Sequence, residues 1–324
     1  MKILVTGGAG YVGGSVAAIL VERGHCVTVL DNLCRSTRSQ VPPGVAFVEA
    51  DIADRTKVEA LLRDLQPDSV MHFAALIEAG ESMQRPEAYF RNNTASTLSL
   101  LESMLAANVR RLVFSSTAAV YGEPKSTPIE ESAELAPSNA YGESKLLVEH
   151  MLQWFHRVHG LRYASLRYFN VGGALPSRGE AHDPETHLIP LILDVALGRR
   201  KSIAIYGDDY PTPDGTCVRD YVHIKDLAEA HILALNALDA HTRMILNLGN
   251  GSGFSVKEVI EAARVVTGHP IPVVIEGRRA GDPVRLVASS EQARSILGWQ
   301  PQHSELNEII ASAWEWHQQR YSRP

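Results

Sequence analysis

The sequence predicts an α/β protein with a parallel, doubly wound sheet, followed by a smaller mixed α/β domain. Three observations predict this fold class. Short β-branched runs alternate with longer helical patterns through the first half of the chain. A glycine-rich turn joins the first of these runs to the first helical pattern. After about Asn170, glycines and prolines divide the pattern into loops, short strands and helices. Alternating strands and helices imply βαβ units, whose crossovers make neighbouring strands parallel.

The first half is predicted to contain six strands and four helices. The strands are Lys2–Thr6, Val27–Leu30, Val45–Ala50, Ser69–Phe73, Leu112–Ser115 and Tyr163–Arg167. The helices are Tyr11–Arg23, Thr56–Leu65, Pro86–Ala107 and Asn139–His159. In the first helix, apolar residues recur on one face and Gly24 provides a stop signal. Pro86 suits the first turn of the third helix, where its missing N–H costs little.

The second half mixes shorter elements. Its predicted strands are Ile203–Tyr206, Ile245–Leu248 and Val273–Ile275. Its predicted helices are Leu188–Leu197, Ile224–Leu238, Ser255–Thr267 and Leu306–Gln319. Ser255 and Glu258 form a capping-box pattern at the third of these helices. We predict a nucleotide domain over 1–170, to which 221–250 returns, and a discontinuous substrate domain over 171–324.

Composition excludes several classes of partner. The 31 Lys and Arg residues against 37 Asp and Glu give a formal net charge of -6, which argues against nucleic acid or an anionic membrane. The three cysteines are far apart and give no disulfide framework, and the histidines show no His-Glu-x-x-His or other metal spacing. With no signal peptide or membrane-spanning run recognisable, we expect a cytoplasmic protein without a metal.

The turn after the first strand has the spacing of a dinucleotide-binding motif. Gly7, Gly10 and Gly13 would allow a tight turn, close approach of a pyrophosphate, and close packing of the helix on the sheet. Tyr11 and Val12 open the following helix, whose N-terminal N–H groups favour an anion. A lone glycine triplet is weak evidence, but its position between strand and helix is the context that supports the motif. We therefore expect a Rossmann domain.

Acidic residues end the next two strands. Asp31 lies about 20 residues beyond the glycines, where a carboxylate binds the adenosine ribose and repels a 2′-phosphate, so NAD is favoured over NADP. Arg35 and Arg38 weaken this exclusion unless they belong to a solvated loop, which we favour. Asp51, followed by Ile52, could reach the adenine or simply cap a helix. Small residues after the fourth strand, which would let the backbone pass close to the cofactor, are Phe73, Ala74, Ala75 and Leu76.

A Tyr-x-x-x-Lys motif gives candidate catalytic residues. Tyr141 and Lys145 lie four residues apart at the start of a predicted helix, so they share a face. A nearby ammonium lowers the pKa of a phenol from its usual value of about 10, which lets it act as a base. The fifth strand ends in Ser-Ser-Thr, so Thr117 could bridge substrate and Tyr141. Each motif alone has a plain alternative, a surface Tyr–Lys pair or a capped turn, and no nucleophile elbow is present.

In combination, these motifs resemble the extended short-chain dehydrogenase/reductase superfamily. Within it, the UDP-glucose 4-epimerase family is the most similar, over nearly the whole chain. The stretches that carry this resemblance are Asp31–Cys34, Phe73–Leu76, Gly80–Ser82, Leu166–Asn170 and the long segment Tyr206–His223.

The resemblance implies a homodimeric, NAD-dependent isomerase acting on a UDP-sugar, with galactose metabolism as its context. It implies that Tyr141 takes the proton of the sugar 4-hydroxyl, that Lys145 tunes it, and that Thr117 assists. Further cofactor contacts implied are Asn32, Leu33, Cys34, Arg35, Ser36, Asn92 and Phe169. Substrate contacts implied are Thr117, Asn170, His187, Leu188, Ala204, Tyr206, Arg219, Arg279 and Asp282. The two arginines among them suit a diphosphate because a guanidinium binds phosphate oxygens in a bidentate manner.

Three positions depart from the family pattern. Ile77 stands where a lysine is common, so one cationic contact to the cofactor is missing. Val171 follows Asn170 where some members have proline, and His187 replaces a common asparagine. Leu286 aligns with a position that limits substrate size. The alternatives are therefore an epimerase of another UDP-sugar, such as an N-acetylhexosamine, uronate or pentose, and a non-enzymatic NAD-sensing scaffold.

Overall fold

The computed structural model describes residues 1–279 and 282–322, and the chain forms two compact units. The first contains Met1–Gly122, Leu135–Arg167 and Ala228–Leu246. The second contains Glu123–Glu134, Tyr168–Leu227 and the chain from Asn247 onward. The segment that lies with the first unit in the structure is thus 228–246, against the predicted 221–250. The segment 123–134 lies in the second unit, which no sequence pattern indicated.

A seven-stranded sheet forms the centre of the first unit, in the order β3-β2-β1-β4-β5-β6-β11. Its strands are β1 (Lys2–Thr6), β2 (Cys26–Asp31), β3 (Ala46–Glu49), β4 (Ser69–His72), β5 (Arg111–Ser115), β6 (Arg162–Tyr168) and β11 (Arg243–Leu248). All pairings from β3 through β6 are parallel. The predicted fold class is therefore confirmed.

The strand order reverses beside β1, whose neighbours are β2 and β4. In a doubly wound sheet, ligands bind outside the carboxyl ends of the strands at this reversal. Thr6 pairs in register with His72, so both strands end at the same level. The glycine turn after β1 and the Phe73–Leu76 segment after β4 consequently lie side by side.

Eleven α-helices lie within the described residues. They are α1 (Tyr11–Glu22), α2 (Arg55–Leu65), α3 (Ala79–Ser82), α4 (Pro86–Tyr89), α5 (Ser96–Ala106), α6 (Ala140–His159), α7 (Leu188–Ala196), α8 (Ile224–Ala237), α9 (Val256–Thr267), α10 (Glu291–Leu297) and α11 (Leu306–Ser322). Most agree with prediction to within a few residues. The predicted helix Asn139–His159 begins one residue later, because Asn139 is its N-cap and accepts a hydrogen bond from the Gly142 N–H at 2.9 Å.

The predicted continuous helix Pro86–Ala107 is wrong. Helix α4 leads into a π-helical stretch, Phe90–Ala95, before α5 begins. A π turn inserts extra backbone into a helix and redirects its side chains, and such turns occur often at functional sites. Apolar periodicity does not reveal it, because the residues on either side keep a helical pattern.

Apolar side chains of α2, α5 and α6 pack on one face of the sheet. This core includes Val58, Leu62, Leu101, Met104 and Leu152, all fully buried. Short 3-10 turns at Arg38–Gln40 and Ala118–Tyr121 complete the first unit.

The second unit has its own core and small sheets. Its strands are β7 (Asn170–Gly172), β8 (Ile203–Tyr206), β9 (Val218–Arg219), β10 (Tyr221–His223), β12 (Phe254–Ser255), β13 (Val273–Glu276) and β14 (Arg285–Leu286). They pair as β10-β7, β12-β9-β14 and β13-β8. Side chains of α7, α9 and α11 pack together beside β8 in this core. The predicted capping box at Ser255 and Glu258 is present. Within the described part of the chain, no helix has the length and apolar character needed to cross a membrane.

Candidate active site

The glycine turn has no space for a side chain at Gly7 or Gly13. Gly7 has φ +73, and a Cβ on it would lie 2.5 Å from the Ala74 backbone nitrogen. A Cβ on Gly13 would lie 2.5 Å from the Gly7 carbonyl oxygen. These contacts agree with the predicted close packing of α1 at Gly13, and they place the segment after β4 against the glycine turn. The N-cap residue of α1 is Gly10, and the first turn of this helix carries no acidic residue.

Asp31 ends β2 beside this turn and is largely buried. One of its carboxylate oxygens accepts a hydrogen bond from the Ala9 N–H at 3.0 Å, and the other accepts from the Leu33 N–H at 2.9 Å and from the Ser36 hydroxyl at 3.1 Å. Leu33 has φ +58, so the chain turns sharply after the strand. The carboxylate is thereby held in one orientation at the carboxyl edge of the sheet.

Asn32 connects Asp31's loop to the end of the next strand. Its side-chain amide donates to the Asp51 carboxylate at 2.8 Å, and its carbonyl accepts from the Cys34 N–H at 3.1 Å. Asp51 also accepts from the Ala53 N–H at 2.8 Å. Asp51 thus stabilises the turn that follows it and also binds the Asn32 side chain. The following Ile52 is buried in the core.

The two arginines of this loop are occupied. The Arg35 guanidinium pairs with the Glu81 carboxylate at 2.6 Å, and Arg38 stacks on the Phe47 ring at 3.8 Å. A 2′-phosphate of NADP would have to compete with these contacts and would face the Asp31 carboxylate. This arrangement favours NAD.

Asn93, in the π-helical stretch, was missed by the sequence analysis. Its side-chain carbonyl accepts from the Leu76 N–H at 2.8 Å, and its amide donates to the Leu76 carbonyl at 2.9 Å and to the Ser144 hydroxyl at 3.0 Å. It therefore holds the segment after β4 against α6. The predicted cofactor residue Asn92 donates to the Asn93 side chain at 2.9 Å. The π turn thus places the side-chain amides of two consecutive residues, Asn92 and Asn93, in hydrogen bonds, which only the structure reveals.

Helix α6 carries Tyr141 in its first turn. Gly142 lets this turn pack against the 3-10 turn that follows β5, because a Cβ there would lie 2.6 Å from the Ala119 carbonyl oxygen. Thr117 caps that 3-10 turn, and its hydroxyl oxygen accepts from the Ala119 N–H at 3.1 Å. The predicted capped-turn alternative for Thr117 is therefore real, and it also fixes the hydroxyl beside the start of α6.

Lys145 lies one helical turn after Tyr141 and is almost completely buried. Its ammonium donates to the Ser115 carbonyl at 2.8 Å and lies 4.9 Å from the centre of the Phe114 ring. Burial lowers the pKa of Lys145 to about 7. Near neutral pH the ammonium and the amine are both populated, and an anion on the same helix face would favour the ammonium.

His72, at the end of β4, is a buried histidine that the sequence analysis did not single out. Burial, and then the charge of Lys145, lower its pKa to about 3. It is therefore neutral at physiological pH. Its ring nitrogens lie 2.6 Å from the Thr6 hydroxyl and 2.8 Å from the Thr97 hydroxyl, so it joins β1 to α5.

A buried ion pair between Arg167 and Glu149 connects α6 to the ends of β5 and β6. The Arg167 guanidinium binds both oxygens of the Glu149 carboxylate, at 3.0 and 2.5 Å. Glu149 also accepts from the hydroxyls of Ser116 at 2.6 Å and Ser165 at 2.8 Å. Burial alone lowers the pKa of Arg167, but its bonds to Glu149 raise it above the ordinary value. Glu149 lies on α6 four residues after Lys145, and Ser116 directly precedes Thr117, so this network locks the helix to the ends of β5 and β6.

In the second unit, charged and aromatic residues cluster at one end of β8. Ala204 and Tyr206 lie on the less buried face of this strand, and the Arg279 guanidinium stacks on the Tyr206 ring at 3.9 Å. Arg219 pairs with Asp282. Burial raises the pKa of Cys217, and the charges of Arg219, Asp282 and Arg279 also act on it, so these groups are neighbours.

The other predicted substrate residues also lie in the second unit. His187 directly precedes α7, which begins at Leu188, and its ring lies 2.7 Å from the Glu185 carboxylate. Asn170 begins β7, after the buried Phe169. Leu286 pairs in register with Arg219. Individually these residues are placed, and their joint action on one ligand stays a prediction.

Residues 3–249 match the family model described as "NAD dependent epimerase/dehydratase family". The chain belongs to this family. A UDP-glucose 4-epimerase of Streptomyces lividans is 55% identical to it over 317 residues, covering 98% of this chain and 96% of the relative. Among solved structures, a UDP-glucose 4-epimerase superposes with a TM-score of 0.97 at 47% identity, covering 99% of this chain and 98% of the other. The Bifidobacterium longum enzyme in complex with NAD+ and UDP gives 0.94 at 37% identity, covering 99% of each chain.

The expected resemblance to this epimerase group is therefore confirmed, as is NAD as the cofactor of the family. The residues present fit that cofactor. The glycine turn leaves no space for a side chain at Gly7 or Gly13, and Asp31 is fixed beside it. The assignment of individual residues to NAD or to a sugar nucleotide stays a prediction.

Proposed function

We propose that this member of the epimerase/dehydratase family interconverts UDP-galactose and UDP-glucose by inversion at sugar C4. The observation that carries the proposal is the placement of Tyr141 and Lys145 on one face of α6, with Lys145 bonded to the strand end that leads into Thr117. This arrangement suits reversible removal of a hydroxyl proton. The presence of Tyr141, Lys145 and Thr117 together counts against a scaffold that merely senses NAD.

The chain's own residues would move the proton. Tyr141 is the base for the sugar 4-hydroxyl group, and the Thr117 hydroxyl bridges the Tyr141 phenol oxygen and the sugar 4-oxygen. Lys145 stabilises the phenolate. When bound, NAD would supply reversible hydride transfer with sugar C4, so the net reaction would be an isomerisation. Gly7, Gly10 and Gly13 would hold its pyrophosphate, and Asp31 its ribose. Return of the proton from Tyr141 to the sugar 4-oxygen completes the cycle.

The cluster at β8 supports a nucleoside diphosphate as the other half of the substrate. Arg219 and Arg279 supply two guanidinium groups, and a guanidinium suits phosphate oxygens. The Tyr206 ring and the Asp282 carboxylate offer a surface for a base and an acceptor for ribose hydroxyls. If a substrate phosphate took the place of the Asp282 carboxylate beside Arg219, the guanidinium would still be paired with an anion.

Product analysis tests the proposal directly. Full-length, NAD-loaded protein incubated with UDP-galactose is expected to produce UDP-glucose without any added hydride acceptor. Anion-exchange chromatography measures the UDP-galactose consumed and the UDP-glucose produced. No conversion by protein shown to contain NAD would contradict the proposal. In parallel, UDP-N-acetylgalactosamine, a UDP-uronate and a UDP-pentose test the alternative of another UDP-sugar, for which the size-limiting position Leu286 is the relevant residue.

Lys145→Met is expected to change the pH dependence of turnover rather than abolish turnover at every pH. Without the ammonium, the Tyr141 phenol loses the charge that favours its ionised form, so its pKa moves toward about 10. We expect a fall of about tenfold to a hundredfold near pH 7 and partial recovery by pH 9. Initial rates between pH 6 and 10 measure this. Profiles of the variant and the unmodified protein that run parallel would contradict it, and Lys257→Met is a control at a lysine of the second unit.

The oligomeric state and location stay predictions, namely a cytoplasmic homodimer. Support for the dimer comes from apolar side chains exposed on α5 and α6, which are Leu98, Trp154 and Val158. Light scattering is expected to give about twice the chain mass of 35.4 kDa.

A further inference from the structure

Two Glu-x-His sequences lie close together in the segment before α7. In the first, one Glu180 carboxylate oxygen accepts from the backbone N–H groups of Ala181 at 2.8 Å and His182 at 3.1 Å. The same oxygen lies 2.6 Å from Nδ1 of the His182 ring. The carboxylate is thereby fixed against an imidazole two residues away.

The second sequence repeats this geometry. A Glu185 carboxylate oxygen accepts from the backbone N–H groups of Thr186 and His187, both at 2.8 Å, and lies 2.7 Å from Nδ1 of the His187 ring. Two short segments of the chain therefore each hold a carboxylate and an imidazole in the same small ring of contacts. Such repetition gives two similarly oriented carboxylate–histidine pairs.

The fold brings the two pairs together. The rings of His182 and His187 lie 5.5 Å apart, centre to centre, and are inclined by 39°. The second Glu180 oxygen lies 4.0 Å from Nδ1 of His187. One ligand atom from each of Glu180, His182 and His187 lies within 4.8 Å of the other two. The Glu180 side chain is 13% exposed and that of His187 is 42% exposed, so the cluster opens toward solvent at His187.

The charge of this cluster is suited to a cation. Two carboxylates lie against the two imidazole rings, that of Glu180 2.6 Å from His182 Nδ1 and that of Glu185 2.7 Å from His187 Nδ1. The Arg320 guanidinium is directed at the Glu180 backbone carbonyl, at 3.3 Å, and so belongs to the surroundings of the cluster. A divalent ion would balance the two carboxylates.

We propose that Glu180, His182 and His187 form a site for one divalent transition-metal ion of the zinc type. Two imidazole nitrogens and one carboxylate oxygen are ligands that such ions prefer, whereas magnesium prefers oxygen alone. Tetrahedral bonds of about 2.0–2.1 Å place ligand atoms roughly 3.4 Å apart, so small side-chain rotations close the observed arrangement around an ion. Glu185 positions His187 as a carboxylate that orients a metal-bound imidazole. Three protein ligands leave a fourth coordination position for water.

No metal was predicted from the sequence because these ligands do not have the spacing of a known metal-binding motif. Here the ligands are separated by two and five residues in an irregular segment. Only the contact between the two Glu-x-His sequences brings the three side chains to one point.

The site is tested by isothermal titration calorimetry. The full chain is first treated with a chelator and is then titrated with zinc chloride. We expect about one ion per chain, retained in the presence of roughly a thousandfold excess of magnesium chloride. His182→Gln and, separately, Glu180→Gln are expected to weaken zinc binding by at least about tenfold. His241→Gln, at an exposed histidine of the first unit, should bind as the unmodified protein does. Circular dichroism of each variant verifies that it is folded.

Three results would overturn the proposal. The first is the absence of saturable zinc binding by the unmodified chain. The second is equal affinity in His182→Gln and Glu180→Gln variants that are folded. The third is loss of binding after alkylation of the exposed thiols Cys26 and Cys34, with no effect of either substitution, since these cysteines would then be the ligands. All three results are independent of epimerase activity, so they stand apart from the test of the proposed function.

Discussion

Tyr141→Phe is expected to lower the turnover of UDP-galactose by about a hundredfold to ten-thousandfold while the protein retains NAD. Proton transfer by a positioned side chain contributes about this much to a reaction rate. The substitution removes one oxygen from a residue in the first turn of α6 and leaves the ring, the helix and the Lys145–Ser115 bond in place. The loss should therefore appear in kcat, with KM changed little.

The measurement compares initial rates by nucleotide-sugar chromatography with the NAD content released by denaturation. Tyr89→Phe is the matched control, because its ring packs edge-on against that of Tyr141 at 6.5 Å and its hydroxyl binds the Glu78 carbonyl instead. We expect this control to retain turnover to within a few fold. Turnover by Tyr141→Phe that matches the control would remove Tyr141 from the role of base. A loss of NAD together with turnover would show that the residue acts on cofactor binding.

Glu149→Gln is expected to have the largest effect on stability. Glu149 and Arg167 are both almost completely buried, with side-chain exposures of 1% and 3%. Loss of one partner leaves an uncompensated buried charge, which costs about 3–5 kcal/mol. For a unit of this size, such a loss lowers the melting temperature by at least about 6 °C.

Differential scanning calorimetry at pH 7 measures this shift. The control is Glu229→Gln, which breaks the Arg23–Glu229 pair, whose side chains are 43% and 37% exposed. Exposed pairs contribute about 0–1 kcal/mol, so this control should melt within about 2 °C of the unmodified protein. Equal shifts in the two variants would mean that the Glu149–Arg167 network does not bear on the stability of the first unit.

Local sequence patterns were sufficient to place the elements predicted to form the cofactor side of the site. The glycine turn, Asp31 and the Tyr-x-x-x-Lys motif were predicted because each depends on neighbours within about one turn of helix or one strand end. A tight turn requires glycine wherever its backbone is placed, and residues four apart share a helix face in any context. The order of strands and helices likewise follows from the period of the apolar residues.

Contacts between distant segments were not predictable in this way. Arg219 and Asp282 are 63 residues apart and were each predicted to contact the substrate, yet they pair with one another in the structure. Asn93 was missed because its role depends on a π turn and on Leu76, 17 residues earlier. The buried pairing of Glu149 with Arg167 was not predicted, because a charged residue on a helix or strand is usually solvated.

The sequence by itself therefore determined the fold class, the position of the dinucleotide turn and the pair of residues on α6. Backbone conformation and helical periodicity are local properties, and the order of residues specifies them directly. Tertiary structure alone decided which charges are buried, which of them are paired, and that two Glu-x-His sequences lie close together. Those outcomes depend on desolvation and on distances across the fold, which arise only when separate segments pack together.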